Sequence, residues 1–336
     1  MKNNQILIIA FIFLIFSGFL TSCFSEYLRD KSDQVDTYID NTGNLTATSD
    51  ISTGNEDAQN ETTSSENVSG DTGTDLGSGS GYEENTTGTH IGQKFAVIAS
   101  GSSYDSQHYT WFLNSTNMAY RLLKNSGYTD ENIYYLFENS KEAEVDFQST
   151  IDNFKKVTGK LQEKSGKTDT IVLFLIGHGS FDGTNSYYAL SGYNLSDTEM
   201  AAMFKNLKRD KLIFVFSPCN SGGFVDDLSG ENTVVITSTR KDETNSAAFI
   251  EPFLISFDGI GDADFDGKVS FAEAFNYASL NVRDQYINNN WGTLTEHAQL
   301  DDYGDAVSNE GHVPIGGDGH LAETIYLNQD AAVSVN

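Results

Sequence analysis

A histidine and a cysteine stand at matching places in this chain, each just beyond an apolar run. Ile171–Ile176 leads into Gly177-His178-Gly179-Ser180, and Leu212–Phe216 leads into Ser217-Pro218-Cys219-Asn220-Ser221-Gly222-Gly223. In open α/β sheets, sites form at the carboxyl ends of strands, so neighbouring strands here bring His178 and Cys219 to one edge. A thiol with a pKa near 8.5 is only a few per cent thiolate at neutral pH. An imidazole beside it raises that fraction and later returns a proton to a leaving amine. The glycines let the backbone approach a substrate. The N–H groups of Gly179 and Cys219 are candidates for an oxyanion hole, a contribution of ~3 kcal/mol in comparable sites. Taken singly, a cysteine is commonly a small core residue and a histidine after a strand a turn residue. Their occurrence together, at equivalent strand ends among glycines, points to nucleophilic catalysis.

A second pattern suits a hard cation. Residues 262–273, Asp262-Ala263-Asp264-Phe265-Asp266-Gly267-Lys268-Val269-Ser270-Phe271-Ala272-Glu273, fit a twelve-residue calcium loop at every key position. Asp262, Asp264 and Asp266 supply carboxylates and Gly267 the sharp turn. Lys268 offers its backbone carbonyl, Ser270 reaches directly or through water, and Glu273 closes the site with two oxygens. Ala274–Ala278 reads as an exit helix, whereas the entry side, Ile255–Gly259, does not look helical. The expectation is a single inserted loop that holds Ca2+ and stabilises local structure. Nothing in the sequence calls for an organic cofactor. Asp301-Asp302-Tyr303-Gly304-Asp305 is a further acidic turn, expected at the surface.

The elements that position these residues alternate between strand and helix. Phe95–Ala99, Ile133–Phe137, Ile171–Ile176, Leu212–Phe216 and Val234–Thr237 read as strands. Trp111–Asn125, Ile151–Leu161 and Thr198–Leu207 carry helical spacing, with Gly127 as a stop. The continuously apolar strands fit a parallel sheet covered on both faces. The predicted fold is therefore α/β, a three-layer α/β/α sandwich with a mostly parallel central sheet. Ala322–Leu327 is expected as a final edge strand.

Ahead of this domain lie two other materials. Lys2 and the apolar run Ile6–Leu20 read as an export signal, too short and one-sided for a membrane span. The run ends Leu20-Thr21-Ser22-Cys23, which resembles the lipobox of bacterial lipoproteins. That resemblance implies a signal peptide over residues 1–22 and lipid on Cys23, hence a membrane anchor and an exported location. Residues 23–91 are rich in Ser, Thr, Asn, Gly and acidic groups and read as a disordered, self-repelling tether. The folded part then covers 92–330. The net charge of −28, from 48 acidic and 20 basic residues, argues against a nucleic-acid partner. The chain has two cysteines, each with its own explanation, so no disulfide is expected.

The segments Ile171–Ser180 and Leu212–Gly223 resemble the two motifs of the caspase-like cysteine peptidases, and the legumain family most closely. Ala96–Gly101, Ala119–Leu123 and Ile236–Thr244 are similar to that family's opening strand, first helix and acidic turn after the nucleophile. The resemblance implies a cysteine endopeptidase acting on protein or peptide through an acyl-enzyme. It differs in carrying Asn220 where legumains have an acidic residue, and in placing Trp111 near the position of their asparagine-binding basic residue. The family's orienting residue lies in the first loop, where Ser102, Asp105 and His108 are alternatives. A transpeptidase of the same chemistry and an inactive caspase-like binding module are the competing readings.

Overall fold

The computed structural model describes residues 92–328 apart from 246 and 247. The export signal, Cys23 and the whole of the proposed tether lie outside these residues. Strands β1 (Lys94–Ser100), β4 (Thr170–Ile176), β8 (Lys211–Phe216) and β9 (Thr233–Thr237) form the centre of an eight-stranded sheet. β2 (Ile133–Phe137) and β3 (Phe147–Gln148) extend one side, and β10 (Gln299–Asp301) and β11 (Asn309–Glu310) the other. The order is β11-β10-β9-β8-β4-β1-β2-β3, with β10 alone running antiparallel to its neighbours β9 and β11.

The central strands are apolar along their whole length because both faces are covered. One face packs on α1 (Ser106–Asn125), α5 (Ile250–Ile255) and α6 (Phe271–Asn288); Ala96, Ile98, Phe174 and Val215 belong to this core. The other packs on α2 (Ile151–Lys164), α3 (Asp197–Phe204) and α4 (Val225–Leu228), around Phe95, Val97, Leu173 and Phe214. The alternation of neighbours between the two clusters is the period-two geometry of a strand. Burying a phenylalanine such as Phe174 or Phe214 stabilises the fold by about 2–3 kcal/mol each. The three-layer α/β/α sandwich with a mostly parallel sheet is thus the observed architecture.

Helix starts are set by side chains. Asp105 accepts the N–H groups of Gln107 and His108, so α1 begins five residues before the expected Trp111. Thr150 caps α2, and Ser196 with Glu199 forms a capping box on α3.

Four expectations need correction. The entry to the acidic loop is helical: α5 passes directly into a π-helical turn, Ser256–Ile260, that ends at Gly259 with φ 98°. Burial of Phe253 and Leu254 against α6 holds this helix, which local propensity does not reveal. Ala322–Leu327 is no edge strand, because Ala322–Thr324 forms a 3-10 turn and only Tyr326 bridges to Ser270. Ala322, Ile325 and Leu327 are buried, a spacing that does not alternate. The Asp301–Asp305 turn is not wholly on the surface. Asp301 lies in β10 and is fully buried, and Asp302 is 7% exposed. The Asp302 carboxylate accepts the N–H groups of Gly319 and Ala322, donors from a segment remote in sequence. Lastly, a second sheet was not foreseen: β5 (Gly179–Phe181), β6 (Ser186–Leu190) and β7 (Tyr193–Ser196) form an antiparallel meander directly after β4.

That meander is bound to the carboxyl edge of the main sheet. The buried Tyr188 hydroxyl donates at 2.6 Å to the carbonyl of Ala99, at the end of β1, and lies 3.1 Å from that of Ile176, at the end of β4. Gly101 approaches β6 so closely that a Cβ there would lie 1.7 Å from the Ala189 oxygen.

Candidate active site

β4 and β8 are adjacent and parallel, with Leu175 beside Phe216. The chain leaving β8 continues that pairing, since the Ser217 N–H donates to Leu175 O at 2.9 Å. His178 and Cys219 therefore emerge from neighbouring strand ends, as the sequence implied. Their backbones meet at Gly179. A Cβ on Gly179 would lie 2.2 Å from the Cys219 carbonyl oxygen and 2.8 Å from Cβ of Pro218. No side chain fits between the two segments.

The turn that carries Cys219 is held from three sides. Asn220 adopts a left-handed conformation, φ 58°, which asparagine tolerates better than most residues. Its N–H donates to Glu243 O and its side-chain amide to Lys241 O, both in the loop after β9. Its own carbonyl accepts the Ser186 hydroxyl from β6 at 2.7 Å. The Ser238 and Thr239 hydroxyls reach Pro218 O at 3.3 and 3.4 Å. The thiol is half-buried, with Sγ 3.0 Å from Thr244 O.

His178 sits in an aromatic setting. Its ring stacks on Tyr104 at 4.7 Å and 13°, with Phe112 edge-on at 5.0 Å and His108 at 4.7 Å. Nε2 lies 3.3 Å from the Ser103 carbonyl. A carbonyl only accepts, so Nε2 carries the hydrogen and Nδ1 is the basic nitrogen. Burial pushes the imidazole below its usual pKa. The Ser103 carbonyl and Asp105 oppose this shift and His108 adds to it. The shift favours the neutral imidazole, the form able to accept a proton.

The Ala189 N–H donates to His178 O at 3.0 Å, and the next paired residues are Gly179 with Tyr188. Bonded and non-bonded pairs alternate in an antiparallel ladder, so the Gly179 N–H points out of it. It is available to an incoming oxygen.

Of the three residues weighed for orienting the histidine, none donates or accepts at Nε2. The partner is the backbone of Ser103, whose N–H and hydroxyl are held by Glu138 at 3.0 and 2.6 Å. Asp105 instead pairs with Nδ1 of His108 at 2.7 Å. Trp111 is partly exposed on α1 and packs edge-on to His108. Sequence reasoning also missed Glu243. Burial alone would raise its carboxyl, yet hydrogen bonds from the His297 and Arg240 amides and the His297 ring hold it below the usual carboxylate value. A backbone carbonyl and a pairing across 54 positions leave no local signal in a sequence.

The acidic loop lies elsewhere. Carboxylate oxygens of Asp262, Asp264 and Glu273 come within 4.8 Å of one another. Gly267 turns with φ 84°, and its N–H and that of Asp266 donate to Asp262. Ser270 and Glu273 form a capping box that starts α6. The neighbouring Tyr326 and Leu327 run beside the start of β1, where Lys94 Nζ binds the Leu327 carbonyl at 3.0 Å. The loop thus sits at the amino-terminal ends of the strands, opposite to His178 and Cys219.

A family model described as the peptidase C13 family matches residues 143–324. None of the curated proteins matches this sequence. Among solved structures, protein GSU0716 from Geobacter sulfurreducens is similar at a TM-score of 0.42 and 13% identity, over 67% of this chain and 95% of that one. The Drosophila initiator caspase Dronc is similar at 0.41 and 10%, over 70% of this chain and 84% of its own.

Replacing Gly179 tests the contact between the two segments. Gly179→Ala should destabilise the domain by about 1–3 kcal/mol, because neither backbone can yield without moving a strand end. Urea unfolding of wild type and variant checks this; equal midpoints would show that the segments are not in contact.

Proposed function

Because the chain belongs to the peptidase C13 family and is a cysteine peptidase acting on protein or peptide, we propose that it cleaves peptide bonds with Cys219 as nucleophile and His178 as base and acid. The observation that carries this reading is the backbone contact of Gly179 with Cys219 at the ends of β4 and β8. Nδ1 of His178 takes the thiol proton, and the thiolate sulfur attacks the carbonyl carbon of the substrate. The oxyanion is received by the N–H groups of Gly179 and Cys219, which lowers the barrier by about 3 kcal/mol. The C–N bond then breaks, His178 protonates the departing amine, and a thioester remains on Cys219. Water, deprotonated by His178, releases the acid and restores the thiol.

We also read Asp262, Asp264, Asp266, Lys268, Ser270 and Glu273 as a structural Ca2+ site. The support is the convergence of three carboxylates around the Gly267 turn between two helices. Position at the amino-terminal ends of the strands separates this site from the chemistry. An exported enzyme held at a membrane by lipid on Cys23 is the reading that Leu20-Thr21-Ser22-Cys23 supports.

Three outcomes are expected. Cys219→Ala should lower kcat/KM on a mixed peptide library by roughly four orders of magnitude, with stability changed by less than about 1 kcal/mol at this half-buried position. Undiminished cleavage by the variant would remove the assignment, and an inert wild type that still binds peptides would favour the binding module.

Ca2+ at a hundredfold excess over its Kd should stabilise the fold by about 2.7 kcal/mol, a rise in Tm of several degrees. Asp262→Ala with Glu273→Gln should abolish the rise, since glutamine preserves the capping box but not the charge. Equal melting curves in Ca2+ and chelator for wild type would leave the loop without a metal role.

Labelled fatty acid should enter the wild-type protein and be lost in Cys23→Ser; label retained in the variant would refute lipid on that residue.

A further inference from the structure

Tyr104 is an anomaly on two counts. It is 74% exposed, and its backbone has φ 62°, a region that costs a bulky residue roughly 1–2 kcal/mol. Neither burial nor relaxed geometry accounts for a tyrosine there. The strain is imposed from both sides. The Asp105 N–H donates to the Ser103 carbonyl at 2.8 Å, closing a three-residue turn with Tyr104 at its apex. Ser103 is pinned by Glu138, and Asp105 by its capping bonds to Gln107 and His108. The turn holds the phenol ring flat on the His178 imidazole, 13° from parallel. The same Ser103 carbonyl that closes the turn receives Nε2 of His178. One strained turn thus sets both the face and the edge of the histidine.

We propose that Tyr104 is a positioning residue for the peptidase reaction, fixing the plane of His178 and stabilising its imidazolium form through the stacked ring face. The inference rests on the reading of His178 as acid and base. When His178 takes the thiol proton, a cation forms in a setting that burial and His108 oppose. The electron-rich face of an aromatic ring attracts such a cation. The titratable and charged groups around it are His108 and Asp105 at the start of α1, Glu138 acting through Ser103, and Cys219 on the turn abutting Gly179. Asp105 is engaged with His108, so Tyr104 supplies the direct contact to the imidazole face. The ring acts, not the hydroxyl.

The experiment compares wild type, Tyr104→Phe, Tyr104→Leu and Tyr104→Gly by pH profiles of kcat and kcat/KM on a peptide substrate. Tyr104→Phe should match wild type. Tyr104→Leu should lose roughly three- to tenfold in kcat with KM changed less than about twofold. One limb of its profile should move to lower pH by roughly half a unit, and neither should move up. The direction follows because loss of the ring makes the imidazolium a stronger acid. If thiol and imidazole are both neutral in the active form, the acid limb moves; if they form an ion pair, the alkaline limb does. Tyr104→Gly relieves the strain and should raise Tm while sharing the loss in kcat. A readout independent of turnover is the NMR titration of His178 in a Cys219→Ala background, where the midpoint should fall by the same half unit in Tyr104→Leu. An unchanged midpoint overturns the proposal even if the enzyme is active, as does a loss confined to KM, which would make Tyr104 a substrate contact. An inert wild type with a shifted midpoint overturns the peptidase reading and leaves the stacking role intact.

Discussion

The carboxyl edge of this domain depends on one close approach of two backbones. Gly179 lies against the Cys219 carbonyl with no room for a Cβ, and that contact exists only because β4 and β8 run side by side in register. Every other feature of the site is arranged around it. The meander β5-β6-β7 begins at Gly179 and returns Ser186 to the carbonyl of Asn220. The left-handed Asn220 then turns the chain so that its own N–H reaches Glu243. Cys219 and His178 are placed by main-chain geometry, which is stiffer than a side-chain contact.

Buried polar groups around both ends of the sheet must also be paired. The chain solves this by spending carboxylates on backbone donors. Glu296, 1% exposed, accepts the N–H groups of Ala248 and Phe249 at the start of α5. Asp302 and Asp318 accept those of Gly319, Ala322 and Tyr303. Burial pushes the carboxyls of Asp301 and Asp302 above their usual values, so these groups carry a cost that their hydrogen bonds offset only in part. The acidic composition is thus only partly a matter of solvated surface.

The two ends of the sheet divide their roles by charge and exposure. At the carboxyl end, two half-buried groups, His178 and the Cys219 thiol, are gathered among aromatic rings and backbone dipoles. At the amino end, the carboxylates of Asp264 and Asp266 stand in solvent and that of Asp262 is half-buried. Separation by the length of the strands keeps the field of the anionic loop from His178, because exposed charges farther apart than about 8–10 Å are largely screened. α6 crosses this distance: it starts at the loop, and Tyr286 near its end is hydrogen-bonded by Asn245, next to Thr244 at the thiol.

What the sequence determined by itself is the class of fold and the position of His178 and Cys219 just beyond two strand ends. Five- and six-residue apolar runs reveal buried parallel strands because no polar face has to be kept, and His178 and Cys219 follow closely on two of them. The convergence of Asp262, Asp264 and Glu273 was legible for the same reason: their spacing is local. Only the tertiary structure decided the rest. The carbonyl of Ser103 and the stacked ring of Tyr104 act on a residue more than seventy positions away, and a carbonyl leaves no residue-type signature. The meander was hidden because its short strands pair through a backbone approach at Gly101 and a hydroxyl bond from Tyr188. The buried Asp301 and Asp302 read as a surface turn because their charge is visible in sequence, whereas the amides that satisfy them are not. Local periodicity reports which face of an element is dry; it carries nothing about which distant backbone group will meet it there.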